Sequence, residues 1–265
     1  MYSILIAMAA GLLTGYYTGR DLGPTWGAVC GMAAFLIVQL IVMLILRRML
    51  KKVQNGMQQT MLAAQNRIQH QVQMFQQRPV GSPKLMQQKL ESLQNDALHE
   101  ALRQTVAFDP YRHWNWMLAK QVNTMKMQLY YQLRDFEAVD KLLSKCLLLD
   151  ARSIAIKLAR MYKHDDPKLD KFYRAKSRRF KNDDMAFLAC TYSWIKLRKD
   201  EQPKAISALL KARERSDNAA LIANYENLAN NRPKHFTNAA FGDIWYALYL
   251  EEPKIRPQKV QQRMY

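Results

Sequence analysis

The chain has 265 residues, enough for one membrane hairpin and one or two soluble helical units. Forty Lys and Arg against 22 Asp and Glu give a formal charge of +18, which favours anionic partners: phospholipid headgroups, nucleic acid or acidic proteins. Cys30, Cys146 and Cys190 are scattered and form no CxxC, which argues against a disulfide framework and fits a reducing compartment.

Residues 1–19 form an apolar run with no formal charge before Arg20. A signal peptide would need a basic n-region and a cleavage site, and a stronger apolar span follows at once. Ala7, Gly11, Gly15 and Gly19 recur every four residues and form one stripe on a helix; Gly27 and Gly31 repeat the spacing. Such small-xxx-small stripes let two membrane helices approach to backbone contact, although glycine is also simply common in membrane helices. Residues 20–24 read as a short, charge-balanced turn, flanked by the interface-seeking rings of Tyr16, Tyr17 and Trp26.

Residues 26–46 carry no formal charge, and Gln39 is their only strongly polar side chain. The run ends in Arg47, Arg48, Lys51 and Lys52. About twenty apolar residues in a helix match the ~30 Å hydrocarbon thickness of a bilayer, and a cluster of cations marks the cytoplasmic side. The expectation is an all-α chain that begins with a two-pass transmembrane hairpin, residues 1–50. It lies in the inner (cytoplasmic) membrane of the cell, with both termini and the soluble part in the cytoplasm.

Residues 51–107 read as a Gln-rich helical stalk. Val53, Met57, Met61, Ala64, Ile68, Val72 and Phe75 follow an eleven-residue pattern that implies a partner helix, while glutamines fill the other faces. The Pro and Gly of residues 78–83 break it. Helix resumes over residues 84–106 with Met86, Leu90, Leu93, Ala97 and Ala101 on one side. The two helices either fold back on each other or pair between chains, giving a homo-oligomer.

Asp109-Pro110 reads as a helix start. Residues 108–252 then become a series of short helices with internal similarity. The stretch Arg134-Asp135-Phe136-Glu137-Ala138 compares with Asp200-Glu201-Gln202-Pro203-Lys204-Ala205, and Ala138 and Ala205 lie 67 positions apart, close to two periods of 34. Midway, residues 166–175 are again a turn leading into an amphipathic helix. With Leu129 and Tyr130 before the first turn and Ala205, Leu209 and Ala212 at packing positions, the region from Trp114 to Leu250 resembles the tetratricopeptide-repeat family. It lacks the family's glycine near the end of each first helix, and its closing proline after Asp150 and Asp217. The resemblance implies an α-solenoid of antiparallel helix pairs that binds a protein partner. Independently of the family, small residues such as Ala138 and Ala205 are expected at helix–helix contacts and Ala208 on the outside. No pair buries its apolar face alone, so neighbours stack. A last helix over residues 238–250, with Phe241, Ile244, Trp245, Leu248 and Tyr249, is expected to cap the stack, and residues 253–265 are expected to form a basic, loose tail.

No catalytic, cofactor or metal site is predicted. His99-Glu100 begins like a zinc-protease motif, but Arg103 stands where the second histidine is required. Asp165-Asp166 and Asp183-Asp184 sit where helix caps already explain acidic residues. The aromatic residues at helical spacing read as packing. The open feature is the cations: Lys171, Arg174, Arg178 and Arg179 among others over residues 168–181, then Lys196, Arg198, Lys199, Lys204, Lys211, Arg213 and Arg215. A solvated face is the plainest account, anionic lipid contact the next, nucleic acid the third. With Arg47, Arg48, Lys51 and Lys52 these residues are the candidates for lipid or partner contact, and Gly11, Gly15, Gly19, Gly27 and Gly31 those for membrane helix packing. The leading expectation is a membrane-anchored, non-enzymatic scaffold or adaptor whose helical domain binds a protein. The alternatives are a basic adaptor that holds nucleic acid or anionic lipid, and a holin-like or membrane-remodelling protein built on the glycine-striped hairpin.

Overall fold

The computed structural model describes residues 2–77, 83–111 and 116–253. Among them every regular element is helical, and the chain divides into two compact units, Met1–Leu147 and Leu148–Tyr265. Residues 78–82 of the predicted breaker at 78–83, Trp114, residues 254–265 of the expected tail, and the side chains of Val53, Met57 and Phe75 lie outside the described residues.

In the first unit, α1 (Tyr2–Leu22) and α2 (Pro24–Gln77) pack against each other along the glycine register. Gly23 turns the chain at φ +95°, a conformation that only glycine adopts freely. A Cβ placed on Gly27 would stand 2.6 Å from the Gly15 carbonyl oxygen and 2.6 Å from the Gly19 Cα. One on Gly31 would stand 2.7 Å from the Gly11 carbonyl oxygen. Gln39, the polar exception of the apolar run, donates from Nε2 to the Ser3 carbonyl at 3.3 Å. The large side chains, such as Leu5, Leu12, Leu36, Ile37, Leu40 and Ile41, point outward and stay exposed. Among the described residues one helix, α2, is long and apolar enough to cross a membrane, and almost none of its apolar stretch is buried. The shorter α1, diluted by glycine, threonine and tyrosine, does not reach that measure.

α2 runs unbroken for 54 residues, about 80 Å at 1.5 Å per residue. α3 (Pro83–Gln104) packs back on its Gln-rich half, so the stalk pairs within the chain: Gln104 Nε2 donates to Thr60 Oγ1 at 2.9 Å, and Met61 packs against Leu98, Ala101 and Leu129. Asp109-Pro110 does not open an α-helix. It lies within a 3-10 turn, Thr105–Tyr111, where Phe108 is buried against Leu118 and Val122 and Asp109 faces Lys126 at 3.7 Å. α4 (Trp116–Gln132) and α5 (Phe136–Leu143) complete the unit. The buried contact of α5 is Val139; Ala138 is only half-buried.

The second unit contains α6 (Ala151–Lys163), α7 (Leu169–Ser177), α8 (Asn182–Arg198), α9 (Gln202–Arg213) and α10 (Ala219–Ala229). α8 is buried continuously from Met185 to Lys196 and packs with α6, α7, α9 and α10. Ala205, fully buried, brings α9 close enough for Ser193 Oγ on α8 to donate to the Ala205 carbonyl at 3.1 Å. Ala208, expected outside, is 7% exposed because α9 packs on α8 through both alanines. The expected helix over residues 238–250 is broken by Gly242 (φ +57°, ψ −136°) into a 3-10 turn, Ala239–Phe241, and a single turn, α11 (Asp243–Tyr246). Trp245 and Leu248 are nevertheless buried, while Ile244 is exposed.

One turn recurs. Arg134, Asp165, Asp200 and Asn231 each have a positive φ between 50° and 60° after a longer helix. In each turn that residue's N–H donates to the carbonyl three residues back, and the next N–H to the carbonyl five residues back. This pair of bonds satisfies two orphan carbonyls at the helix end, and the position normally prefers glycine.

Two substitutions test these contacts. Gly27→Leu should overpack the hairpin by ~1–3 kcal/mol and reduce disulfide crosslinking between cysteines placed at Ser3 and Gln39; undiminished crosslinking would show that the glycine register does not hold the helices. Ala205→Leu should lower the thermal midpoint of the second unit far more than Ala223→Leu, whose site on α10 is exposed, because only the former forces two packed helices apart.

Candidate functional site

The two faces of α8 do different things. Met185, Tyr192 and Lys196 are spaced by seven and four residues and share one face; Phe187, Cys190 and Trp194 share the opposite one. The second face is covered by the chain's own C-terminal segment. Asn238 Nδ2 donates to the Cys190 carbonyl (3.1 Å), and Asn224 on α10 exchanges hydrogen bonds with the Thr237 backbone (2.9 and 3.0 Å). Phe241 meets Phe187 edge-on, Trp245 meets Trp194, and Trp245 Nε1 donates to Glu251. Burial pushes the Cys190 thiol up to about 12, so it remains a protonated packing group.

The first face forms the floor of a groove between α7 and α9, both of which rest on α8. At one end, a cavity of about 470 Å³ lies between Asp170 and Arg174 of α7 and Lys204 and Lys211 of α9, over Tyr173 and Tyr192. A second, of about 310 Å³, continues past Arg174 and Lys211 to Arg178 and Arg215, over Met185. The Tyr173 and Tyr192 rings stack at 3.9 Å between centroids. Burial raises both phenols, and Tyr192 also faces the Asp170 carboxylate, so both remain neutral.

An ion cluster closes the Asp170 end. Lys196, only 4% exposed, contacts Asp170 at 2.5 Å and Glu201 at 3.1 Å. Lys204 contacts Asp170 at 3.2 Å and also pairs with Glu201. Tyr192 Oη donates to Asp170 at 3.1 Å. Partial burial works against the Asp170 carboxylate, but the hydrogen bonds from Lys196 and Lys204 outweigh it and hold its pKa below the ordinary value. The Lys204 and Lys196 hydrogen bonds hold Glu201 down as well, against the effect of burial. Sequence reasoning placed Lys196 in a surface series with Arg198 and Lys199. Nothing in its neighbours betrays it, since its burial comes from the helices packed around α8. At the other end of the groove, Arg215 donates to the Arg178 carbonyl at 2.6 Å.

The remaining predicted cations are dispersed. Arg174, Arg178 and Lys211 are exposed around the groove and have no carboxylate partner among the described residues. Lys171 is exposed on α7 outside the groove lining. Arg179 is drawn away to the Leu148 carbonyl and the Phe180 ring. Arg47, Arg48, Lys51 and Lys52 lie along α2. Three residues of the acidic pairs have structural partners: Asp165 sits at a left-handed turn and pairs with Lys199, Asp166 accepts from the Lys168 N–H, and Asp183 accepts from Asn218. Glu100 of the abortive zinc motif pairs with Arg103 at 2.8 Å. Among the described residues no three His, Cys, Asp or Glu side chains gather to hold a metal.

The ion cluster makes a directional prediction. Asp170→Asn leaves the buried Lys196 ammonium with Glu201 alone and should cost about 3 kcal/mol, near the lower end for a broken buried pair. Lys196→Met removes the buried charge and leaves Asp170 with Lys204, so its loss should be clearly smaller. Because the Asp170 pKa is lowered on folding, its contribution is present above the unfolded carboxylate pKa and lost as pH falls through the folded one. Thermal midpoints of the two variants and the parent between pH 7 and pH 3 check this: the parent should converge on Asp170→Asn at acid pH.

The chain matches no known family model, and no curated protein or solved structure is significantly similar to it.

Proposed function

We propose that the chain is a membrane-anchored, non-enzymatic scaffold. In this reading the α1–α2 hairpin spans the cytoplasmic membrane twice, and the helix pairs are divergent tetratricopeptide-like repeats that serve a protein partner. The carrying observation is the hairpin. Its helices contact each other through glycine backbones while large apolar side chains point outward on both. Such an arrangement wastes apolar surface in water and suits lipid, where close backbone packing rather than hydrophobic burial drives helix association. The continuity of α2 into the paired stalk supports a rigid connection within the first unit rather than a loose tether.

The repeat reading is supported by the four equivalent turns at Arg134, Asp165, Asp200 and Asn231, spaced 31, 35 and 31 residues. Each joins a longer helix to the next element through the same two bonds, which is how a repeated helix-turn-helix unit survives when its glycines are gone. The use of Asp165, Asp166 and Asp183 in turns, caps and an ion pair supports the non-enzymatic reading.

Topology tests the anchor. In a chain whose three native cysteines are replaced, Asp21→Cys at the hairpin turn should react with a membrane-impermeant maleimide in intact cells. Lys234→Cys in the second unit should react only after the membrane is permeabilised. Labelling of Lys234→Cys from outside, or release of the chain from membranes by alkaline carbonate, would overturn the reading.

A further inference from the structure

We propose that the groove between α7 and α9 binds a short, extended acidic peptide segment of the partner, with an apolar side chain set among its carboxylates. This deepens the scaffold reading and rests on it. The opposite face of α8 is filled by the chain's own residues 236–251, through Asn238, Phe241 and Trp245. The α7–α9 side has a slot of two adjoining cavities, of about 470 and 310 Å³, instead. Its rims carry Arg174, Arg178 and Lys211 with no carboxylate partner among the described residues; one exposed carboxylate, Glu214, lines the second cavity with them and leaves the cations in excess, and the floor offers Ala208 and Met185. Unpaired cations over an apolar floor match carboxylates that flank an apolar group.

Size sets the length of the segment. α7 has nine residues, about 13 Å of helix, which an extended chain covers in about four residues at ~3.3 Å each.

The other anions fit less well. Single-stranded nucleic acid needs aromatic faces on which bases stack, and Tyr173 and Tyr192 are each 5% exposed and stacked on each other. A bilayer presents its phosphates on a broad surface that cannot enter a slot closed by Lys204–Asp170 at one end and by Arg215 bonded to the Arg178 carbonyl at the other. A second copy of the chain has no acidic run to offer among its described residues. Its acidic residues adjoin only in pairs, of which Asp165, Asp166 and Asp183 are held in turns and caps, Glu201 by Lys196 and Lys204, and Glu251 by Trp245, in a chain of charge +18.

The test uses the full chain in nanodiscs of neutral lipid. The probe is a fluorescein-labelled pentapeptide of four glutamates around a central leucine, with the four-glutamine peptide as its control. The glutamate peptide should bind at least about tenfold more tightly than the glutamine peptide, with an affinity that falls as salt rises. Arg174→Glu and Lys211→Glu should each weaken it by about tenfold, and Lys211→Gln by less, since charge is removed and not reversed. Lys234→Glu, outside the groove lining and similarly exposed, should change it less than twofold. Equal losses in the groove and remote variants would mean diffuse charge and overturn the proposal. So would absent binding, or groove variants that weaken phosphatidylserine vesicles or a single-stranded oligonucleotide while leaving the peptide unaffected. A failed peptide assay with the topology result intact would remove the groove and leave the scaffold standing.

Discussion

The second unit is organised by the burial of α8 on every side over twelve consecutive residues, Met185 to Lys196. A helix with no solvent face must find partners for every polar group it carries. Thr191 bonds back to the Phe187 carbonyl and Ser193 to Ala205 of α9. Lys196 is the demanding case, because an unpaired buried ammonium costs several kcal/mol. Asp170 of α7 and Glu201 before α9 answer it from two neighbouring elements. The charge therefore fixes which helices may lie beside α8, and in doing so sets one end of the groove.

The opposite face of α8 is satisfied by a different device. Asn224, Thr237 and Asn238 form a buried amide network that bonds the backbone of α8 at Cys190 and of the C-terminal segment at Thr237. Buried networks of this kind are costly when incomplete and specifying when complete. Here it secures a segment of little regular helix, whose packing depends on Trp245, Phe241 and Leu248. One face of α8 is thus committed to folding, while the slot on the other remains open between α7 and α9.

Much of the architecture was legible because it depends on period. The four-residue glycine register of Gly11, Gly15, Gly19, Gly27 and Gly31 needs no tertiary information to be seen, and neither does the stripe that pairs α2 with α3. What was hidden depends on neighbours distant in sequence. Lys196 looks like any lysine of a basic run, and Ala208 like an outward residue of an amphipathic helix, until α7 and α9 are placed against α8. The turns were hidden for another reason. Arg134, Asp165, Asp200 and Asn231 occupy a conformation that costs an L-residue roughly 1–2 kcal/mol, so a search for glycine passes over them. Asp and Asn tolerate it better than most, and three of the four are Asp or Asn. The groove escaped for the same reason as Lys196: Arg174 and Lys211 are 37 residues apart and share a site only through the packing of α7 and α9 on α8.

The hairpin and the helix pair α8–α9 bring backbones together in the same way. In both, a carbonyl of one helix comes within reach of the next because the residue at the contact is small. At the Gly27–Gly15 contact no side chain intervenes, so even a single methyl group would sit 2.6 Å from the facing carbonyl oxygen. At Ala205 a methyl is tolerated, and Ser193 supplies a hydroxyl to the carbonyl it meets. In water the second arrangement is reinforced by the apolar area buried around it, at ~25 cal/mol per Å², so the fit at one residue can be looser. In lipid no such term exists between helices, and association depends on dispersion and close backbone approach alone. The membrane setting proposed for the hairpin would account for glycine at its tightest points, Gly11, Gly27 and Gly31, and for the large side chains that it turns outward.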